Sequence, residues 1–307
     1  MTSETVNVTL NPATGKWQAE YKGVKVSSKY KEYVKTQLKE LTGKTFNVTY
    51  DTTDDSPKEV AERYDINQRF TFVEQLVRMI AKKQQASVVI TGQGGLGKSY
   101  TVLSTLKAEG LEDYSILSED LEEGATLPKK RFVVIKGYST AKGLYRFLYE
   151  NNGAVIVFDD CDSILKDRDA LMLLKGALDS NDRRIIAWNA EMPMGSDLPK
   201  AFEFTGHVIF ISNMQLKDID QAIQTRSMCV DVTMTTDQKL ERMEFILASG
   251  KFLPQFSVHH KREALNLIKE LKDEVNEISL RTLISVSKIR VANEGNWRDL
   301  ATYMLTN

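Results

Sequence analysis

The sequence predicts an α/β fold, in which helices cover both faces of a parallel sheet and an all-helical unit follows. Strand-like apolar runs alternate with helix-like segments over residues 61–232, and only helix-like segments occupy residues 233–307. Such alternation favours parallel strands, because each crossover connection lays a helix on a face of the sheet. A glycine-rich loop directly after the first of these strands indicates where the chemistry lies.

Composition is that of a globular protein without a strong charge bias. The chain has 307 residues, 42% apolar and 27% charged, with a net charge of -1, so no overall field directs it to nucleic acid or membrane. No apolar run approaches the roughly 18 residues of a spanning helix, and the polar N-terminus does not resemble a signal peptide. Cys161 and Cys229 lack metal-ligand spacing and the three histidines form no ligand pattern. We therefore expect a cytoplasmic protein with no membrane partner and no zinc site.

Residues 1–46 predict a small N-terminal module of three short strands and a helix, and the polar segment 47–60 predicts a linker. Its layout is similar to the three-stranded arm domains with which some phage integrases grip DNA. Residues 1–45 hold eight lysines and four glutamates, which gives the module a locally basic surface. A solvated surface or a protein-docking role are the alternatives to DNA binding.

The segment from Val88 to Val102 is the centre of the predicted fold. A buried strand, Val88–Ile90, leads into a loop that matches the Walker A pattern G-x-x-x-x-G-K-[ST] at every fixed position, and a helix follows. The loop and the residue after it are Gly92, Gln93, Gly94, Gly95, Leu96, Gly97, Lys98, Ser99 and Tyr100.

This pattern is typical of a phosphate-binding loop. Glycines let backbone N–H groups turn inward around an anion, and the helix that follows adds its positive N-terminal end. Lys98 is then expected to lie on the outer phosphates and Ser99 to hold Mg²⁺. A glycine-rich turn that binds nothing is the alternative, but the full match favours nucleotide binding.

An acidic pair supplies the second half of the predicted site. Four apolar residues, Val155–Phe158, run directly into Asp159 and Asp160, which is a Walker B arrangement. Asp159 is expected to complete the Mg²⁺ shell, and Asp160 to polarise the attacking water as general base. Asp162 is a weaker alternative base, and a strand that runs into a plain polar turn is the alternative to both.

The remaining segments follow the same alternation. Further core strands are predicted at Phe132–Ile135 and Val208–Ile211, and a hairpin is predicted between residues 183–188 and 201–204. Four helices are predicted after Val232, at residues 237–248, 260–274, 279–292 and 296–305.

Residues 61–307 together resemble the AAA+ ATPases, a superfamily of P-loop NTPases. The resemblance implies an AAA+ core at 61–232, a helical lid at 233–307, ATP and Mg²⁺ as cofactors, and roles for five residues. These are Asp65 and Ile66 against adenine, Asn213 as first sensor, Arg226 as arginine finger and Arg281 as second sensor. The chain departs from the family at Asp160, where a glutamate is usual, which puts the speed of hydrolysis in doubt.

The resemblance also implies a homo-oligomer, a ring or open spiral that is most often hexameric. Tyr138 stands where protein-threading members carry a pore aromatic, and Arg183 and Arg184 stand where DNA-translocating members insert a hairpin. The small N-terminal module on a compact core is similar in layout to bacteriophage-encoded ATPases.

Several functions therefore stay open at this point. The first is an ATPase that remodels or translocates DNA or protein. The others are a nucleotide-gated scaffold or loader with slow turnover, an accessory ATPase of DNA replication or recombination, and a monomeric P-loop kinase. The sensor residues, Arg226 and the all-helical tail argue against the kinase.

Overall fold

A computed structural model describes residues 4–11, 16–28, 31–44, 46–51, 63–115, 128–137, 140–189, 197–293 and 295–307. The chain divides into two compact units, Met1–Tyr64 and Asp65–Asn307. Within the described residues, no helix combines the length and the apolar character needed to cross a membrane.

The N-terminal unit is a four-stranded sheet with one helix. The strands are β1 (Glu4–Asn11), β2 (Lys16–Tyr21), β3 (Val24–Ser28) and β4 (Phe46–Asp51), and the helix is α1 (Lys31–Thr42). Their order is β3-β2-β1-β4, with β4 parallel to β1. Val8, Val34 and Leu38 are fully buried between sheet and helix and form the centre of a small apolar core.

Strand β4 is a difference from the sequence analysis, which has three strands here and a linker from residue 47. Phe46, Val48 and Tyr50 alternate with polar residues, which is the period of a strand with one buried face. Phe46 is 1% exposed and lies in the core of the unit. The strand was missed because threonine, asparagine and aspartate make the segment look polar overall.

The larger unit is built on a six-stranded parallel sheet, as the sequence predicts. Its order is β12-β5-β11-β8-β7-β6, and every pairing is parallel. The strands are β5 (Ser87–Thr91), β6 (Glu112–Asp113), β7 (Arg131–Lys136), β8 (Val155–Asp159), β11 (His207–Ile211) and β12 (Met228–Asp231). Because all run the same way, the phosphate-loop segment, the acidic pair and Asn213 emerge at one edge.

Helices cover both faces of this sheet. They are α2 (Ile66–Ala81), α3 (Lys98–Ala108), α4 (Ala141–Glu150), α5 (Arg168–Ala177) and the short α6 (Gln221–Arg226). Val88 and Ile90 face the apolar cluster under α2 and α3, whereas Val89 faces the cluster under α4 and α5. The two-residue period of β5 thus buries both faces, which is why its three central residues are all apolar.

The predicted hairpin is confirmed as β9 (Ile185–Ala187) paired antiparallel with β10 (Ala201–Glu203). Its two arginines bind within the chain: Arg183 pairs with Glu203 at 2.9 Å, and Arg184 donates to the carbonyls of Ala177 and Gly206 at 3.0 and 2.7 Å. The two arginine side chains that suggested a DNA contact are therefore already bonded to groups of this chain.

Four helices close the chain, as the sequence predicts: α7 (Thr236–Ala248), α8 (Val258–Glu270), α9 (Leu280–Ala292) and α10 (Trp297–Thr306). We call them the lid. They pack around an apolar cluster of their own that includes Met243, Ile268 and Leu283. Contacts nevertheless group the lid and the sheet in one compact unit.

Candidate active site

The loop Gly92–Ser99, here called the phosphate loop, joins the carboxyl end of β5 to the first turn of α3. Its backbone needs glycine at Gly92, where φ is +138° and a Cβ atom would lie 3.0 Å from the carbonyl carbon of Val232. A side chain at this position would collide with backbone, which cannot move aside cheaply. The loop is therefore held closely against the segment that follows β12.

The lid touches the phosphate loop directly. The backbone N–H of Leu280 donates a 2.8 Å hydrogen bond to the carbonyl of Gly95. A Cβ atom on Gly95, where φ is +70°, would lie 3.0 Å from Cβ of Ser279. The first turn of α9 thus lies on the loop, and its N-terminal dipole adds positive potential there.

Lys98 is buried in this setting, at 5% exposure. Its Nζ donates to the carbonyls of Gly92 and Gln93 at 2.6 and 2.8 Å and to Oδ1 of Asn213 at 3.0 Å. Burial lowers the pKa of Lys98, and the nearby carboxylates of Asp160 and Asp159 oppose that shift. All three acceptors are uncharged oxygens, so the positive charge stays available to an anion.

Asn213 connects Lys98 to the acidic pair. Its Oδ1 accepts from Lys98, and its Nδ2 donates to Oδ1 of Asp160 at 2.8 Å. The two contacts need opposite ends of the amide, which fixes its orientation. Three residues predicted separately from the sequence therefore form one continuous chain of hydrogen bonds.

Asp160 leaves β8 with a left-handed backbone, φ +57°, which is uncommon for a residue other than glycine. Its N–H donates to the carbonyl of Ile211 at 3.1 Å, and its side chain is exposed at the edge of the sheet. Asp162, the alternative base, instead accepts a 2.6 Å hydrogen bond from the hydroxyl of Ser212. Asp160 is thus the acid that faces the phosphate loop through Asn213.

Ser99 and Asp159 form the candidate magnesium site. The Ser99 hydroxyl donates to Oδ1 of Asp159 at 2.7 Å, and Asp159 is 2% exposed at the end of β8. Hydroxyl and carboxylate oxygens are the donors that Mg²⁺ prefers, and such sites take the remaining ligands from phosphates and water. In the described residues no group of three or more histidine, cysteine or acidic side chains is arranged for a metal. The donor pair fits an ion that nucleotide phosphates help to hold.

Lys136 is a site residue that sequence analysis missed. It ends β7, directly opposite Asp159 in the sheet register, and its Nζ lies 3.0 Å from Oδ2 of Asp159. A lysine at the end of a predicted core strand was the one indication in the sequence that Lys136 belongs to the site. The order of strands in the folded sheet was needed to show that β7 neighbours β8.

Arg281 lies beside the phosphate loop, and Arg226 does not. A Cβ atom on Gly94 would lie 3.9 Å from Nη1 of Arg281, and the charge of Arg281 contributes to lowering the pKa of Lys98. Arg226 ends α6, and its Nη1 donates to the carbonyl of Ala222 at 3.1 Å. Its own carbonyl accepts from Ser87, at the opposite end of β5 from the loop.

Asp65 and Ile66, expected to contact adenine, have structural contacts instead. Asp65 caps α2 by accepting from the N–H of Gln68 at 2.9 Å, and Ile66 is fully buried in the core. Neither lines the cleft described next. Tyr138, the pore-loop candidate, lies outside the described residues.

A cleft of about 690 Å³ extends from the phosphate loop between α2, α3 and the lid. This volume is within the usual range for small-molecule sites. Its lining includes Lys98, Tyr100, Asp160, Asn213 and Arg281, which the sequence indicates, and Leu96 closes the loop beneath it. It also includes Arg242 and Phe245 of the lid helix α7, which sequence analysis did not single out because helix periodicity assigns that stretch to packing.

No protein-family model matches the chain. A protein of Enterobacteria phage T4, described as an uncharacterized 36.7 kDa protein in the nrdC-mobD intergenic region, is 25% identical over 267 residues, 80% of this chain and 77% of its own length. The FIGL-1 AAA domain, solved in complex with ADP, is 14% identical over 78% of this chain and 76% of that one, with a TM-score of 0.41. The sheet order, the phosphate loop and the C-terminal helices of this chain itself show a P-loop α/β fold.

Proposed function

We propose that the chain is an ATPase that binds ATP at the phosphate loop and hydrolyses it with Asp160 as general base. The observation that carries the proposal is the hydrogen-bonded chain from Lys98 through Asn213 to Asp160. It links a buried cation, suited to phosphate, to an exposed carboxylate, suited to activating water. Phosphoryl transfer needs mainly these two elements, charge neutralisation and an oriented nucleophile.

Each residue has a distinct task in this proposal. Lys98 would neutralise charge on the outer phosphates, and the first turns of α3 and α9 would add their dipoles. Ser99 and Asp159 would hold Mg²⁺, which supplies further neutralisation of the phosphate oxygens. Asn213 would keep Asp160 directed toward the water, and Arg281 would contact the phosphates from the lid.

The lid is suited to report which nucleotide is bound. Leu280 is hydrogen-bonded to the phosphate loop itself, so a change in the loop reaches α9 through one contact. We infer that hydrolysis changes the position of the lid, which is how chemical energy would reach a substrate.

We infer further that hydrolysis takes place in a homo-oligomer, a ring or open spiral of about six subunits. The support is indirect: Arg226 is remote from its own phosphate loop, as a residue that serves a neighbouring site would be. An arginine supplied in trans contributes about 10³ to 10⁵ in rate in related hydrolases. The substrate would be a macromolecule, DNA or protein.

A slow-turnover scaffold or loader is the second candidate, and one observation favours it. Asp160 is shorter than the usual glutamate, and its carboxylate is already engaged by Asn213 at 2.8 Å. A base with less reach polarises water less well, because general-base catalysis depends on hydrogen-bond distance. Nucleotide would then control assembly more than it drives motion.

The first test measures the rate of ATP hydrolysis with Mg²⁺, for the chain alone and with single-stranded DNA, duplex DNA or an unfolded protein. The second measures the assembly state by sedimentation, with and without ATP. The proposal predicts Mg²⁺-dependent turnover, ATP-dependent assembly and stimulation by one substrate class. Stimulation by DNA would favour the replication or recombination role. Assembly with ATP but negligible turnover would favour the scaffold. If the chain neither assembles nor hydrolyses ATP, both candidate functions are contradicted.

A further inference from the structure

Two buried arginines connect helix α2 with the lid helix α7 and the segment before it, and they differ in one respect. Arg69 on α2 is 6% exposed and Arg242 on α7 is 8% exposed, and burial lowers the pKa of each, that of Arg242 to about 10. In both, Nε is buried without a hydrogen-bond partner. Burying a guanidinium is costly unless its donors are satisfied, so the remaining donors decide what each residue does.

Both Nη groups of Arg69 have an acceptor within the chain. Its Nη1 donates to the carbonyl of Thr233 at 2.8 Å and its Nη2 to Oε1 of Gln238 at 3.2 Å. Arg69 does not line the cleft. Its role is therefore structural.

Arg242 lines the cleft, and one of its two Nη groups has no acceptor among the described residues. Its Nη1 donates to Oδ1 of Asn67 at 2.9 Å, while Nη2 has no acceptor among the described residues. The nearby carboxylate of Glu74 raises the pKa of Arg242, but Glu74 forms its ion pair with Arg78 at 3.4 Å. A ligand in the cleft is the natural source of the missing acceptor.

Two aromatic rings lie close to this guanidinium. Its Cζ lies 3.9 Å from the ring centroid of the buried Phe70 and 5.3 Å from that of Phe245. Phe245 also lines the cleft and is 54% exposed, which leaves a ring face open for stacking. Nucleobases stack on such faces, and purines carry ring-nitrogen acceptors that arginine recognises.

We propose that Arg242 and Phe245 bind the purine base of the nucleotide, with Arg242 donating from Nη2 to a ring nitrogen and Phe245 stacking on the base. The inference rests on the proposed nucleotide binding at the phosphate loop and deepens it. It assigns the base to the lid helix α7, whereas the sequence analysis expected the base at Asp65 and Ile66.

The experiment compares a ligand that has a base with one that lacks it. Dissociation constants are measured by calorimetry for Mg-ATP and for magnesium tripolyphosphate, with the full chain, Arg242→Met, Phe245→Ala and the matched control Arg69→Met. Thermal unfolding of each variant checks folding. Because Phe245 is half exposed, its variant should fold and so decides the question even if Arg242→Met does not fold. Arg242→Lys is a milder second variant at the arginine position.

Arg242→Met and Phe245→Ala are expected to weaken ATP binding by about tenfold or more and to leave tripolyphosphate binding unchanged. Arg69→Met is expected to leave the ratio of the two constants unchanged. An unchanged ratio in the Arg242 and Phe245 variants would overturn the base site while leaving the phosphate-loop proposal intact. If the wild-type chain binds neither ligand, the proposed function itself fails.

Discussion

The hydroxyl of Ser99 donates a 2.7 Å hydrogen bond to the carboxylate of Asp159, a residue 60 positions further along the chain. The phosphate loop and the end of β8 thereby hold two hard oxygen donors at one point. The second oxygen of Asp159 lies 3.0 Å from Nζ of Lys136. A divalent cation that binds these oxygens therefore competes with the lysine for the same carboxylate.

Changes to these contacts should move the Mg²⁺ requirement in opposite directions. Ser99→Ala removes one ligand and is expected to raise the Mg²⁺ concentration for half-maximal ATP binding by at least about tenfold. Lys136→Met removes the competitor and is expected to lower that concentration by about fivefold, because Lys136 itself is largely exposed and such a partner contributes on the order of 1 kcal/mol. Fluorescence titration of labelled ATP with Mg²⁺ measures both. The same Mg²⁺ requirement in both variants and the wild type would contradict this assignment.

The contact between lid and loop can be tested through Gly95. Gly95→Ala adds a methyl group 3.0 Å from Cβ of Ser279, and Gly110→Ala adds one with nothing within 4 Å, at a similar positive φ. Both should lose about 1–2 kcal/mol of stability from backbone strain. Only Gly95→Ala should also weaken ATP binding, because it pushes α9 off the loop. Urea unfolding and ATP titration separate the two effects, and equal ATP affinity in both variants would argue against the coupling.

Arg226 gives a prediction about assembly. Arg226→Ala should retain ATP affinity but lose about 10³-fold or more in turnover, because a transition-state cation is missing. Mixed with wild-type chains, it should lower activity by more than its share, since each variant subunit also disables a neighbour's site. The measurement is ATPase rate against the mixing ratio. A straight-line decrease would mean that Arg226 acts within its own subunit, and no decrease would mean that it has no role in turnover.

Sequence reasoning reached most of the fold because periodicity and the phosphate-loop pattern are local signals. It missed β4, where polar residues conceal the alternation of Phe46, Val48 and Tyr50. The pattern also indicated Lys98 and Asp160, which the structure joins through Asn213.

What sequence did not provide depends on neighbours in space. Lys136 contacts Asp159 only because β7 lies next to β8 in the sheet, and the sequences of the two strands do not reveal that order. Arg242 looks like a polar residue on a packed helix, and only the folded structure shows that it lines the cleft. Asp65 and Ile66 came from a resemblance and not from a pattern in the chain; their side chains cap and pack α2, and their contact with adenine stays a prediction.

His207 gives a prediction about pH. Burial lowers the pKa of His207, whose Nδ1 lies 2.9 Å from the carbonyl of Gln85, and Arg184 and Lys83 lower it further. The unfolded chain therefore takes up a proton below about pH 6.5, where the folded chain resists it. The free energy of unfolding must fall as pH drops through this window. The free energy of unfolding of His207→Gln, measured by urea titration, should fall less steeply than that of the wild type between about pH 7 and 5. Parallel curves for the two proteins would contradict the lowered pKa of His207.

The most direct test of the account is to measure ATP binding and ATP turnover on the same Asp160→Asn protein, with Asp162→Asn as the matched control. Asp160→Asn keeps the shape of the side chain and its contact with Asn213 but removes the base. We expect Asp160→Asn to bind Mg-ATP as tightly as the wild type and to lose at least about 100-fold in turnover, while Asp162→Asn keeps most of its activity. Full turnover in Asp160→Asn, with loss in Asp162→Asn, would contradict it.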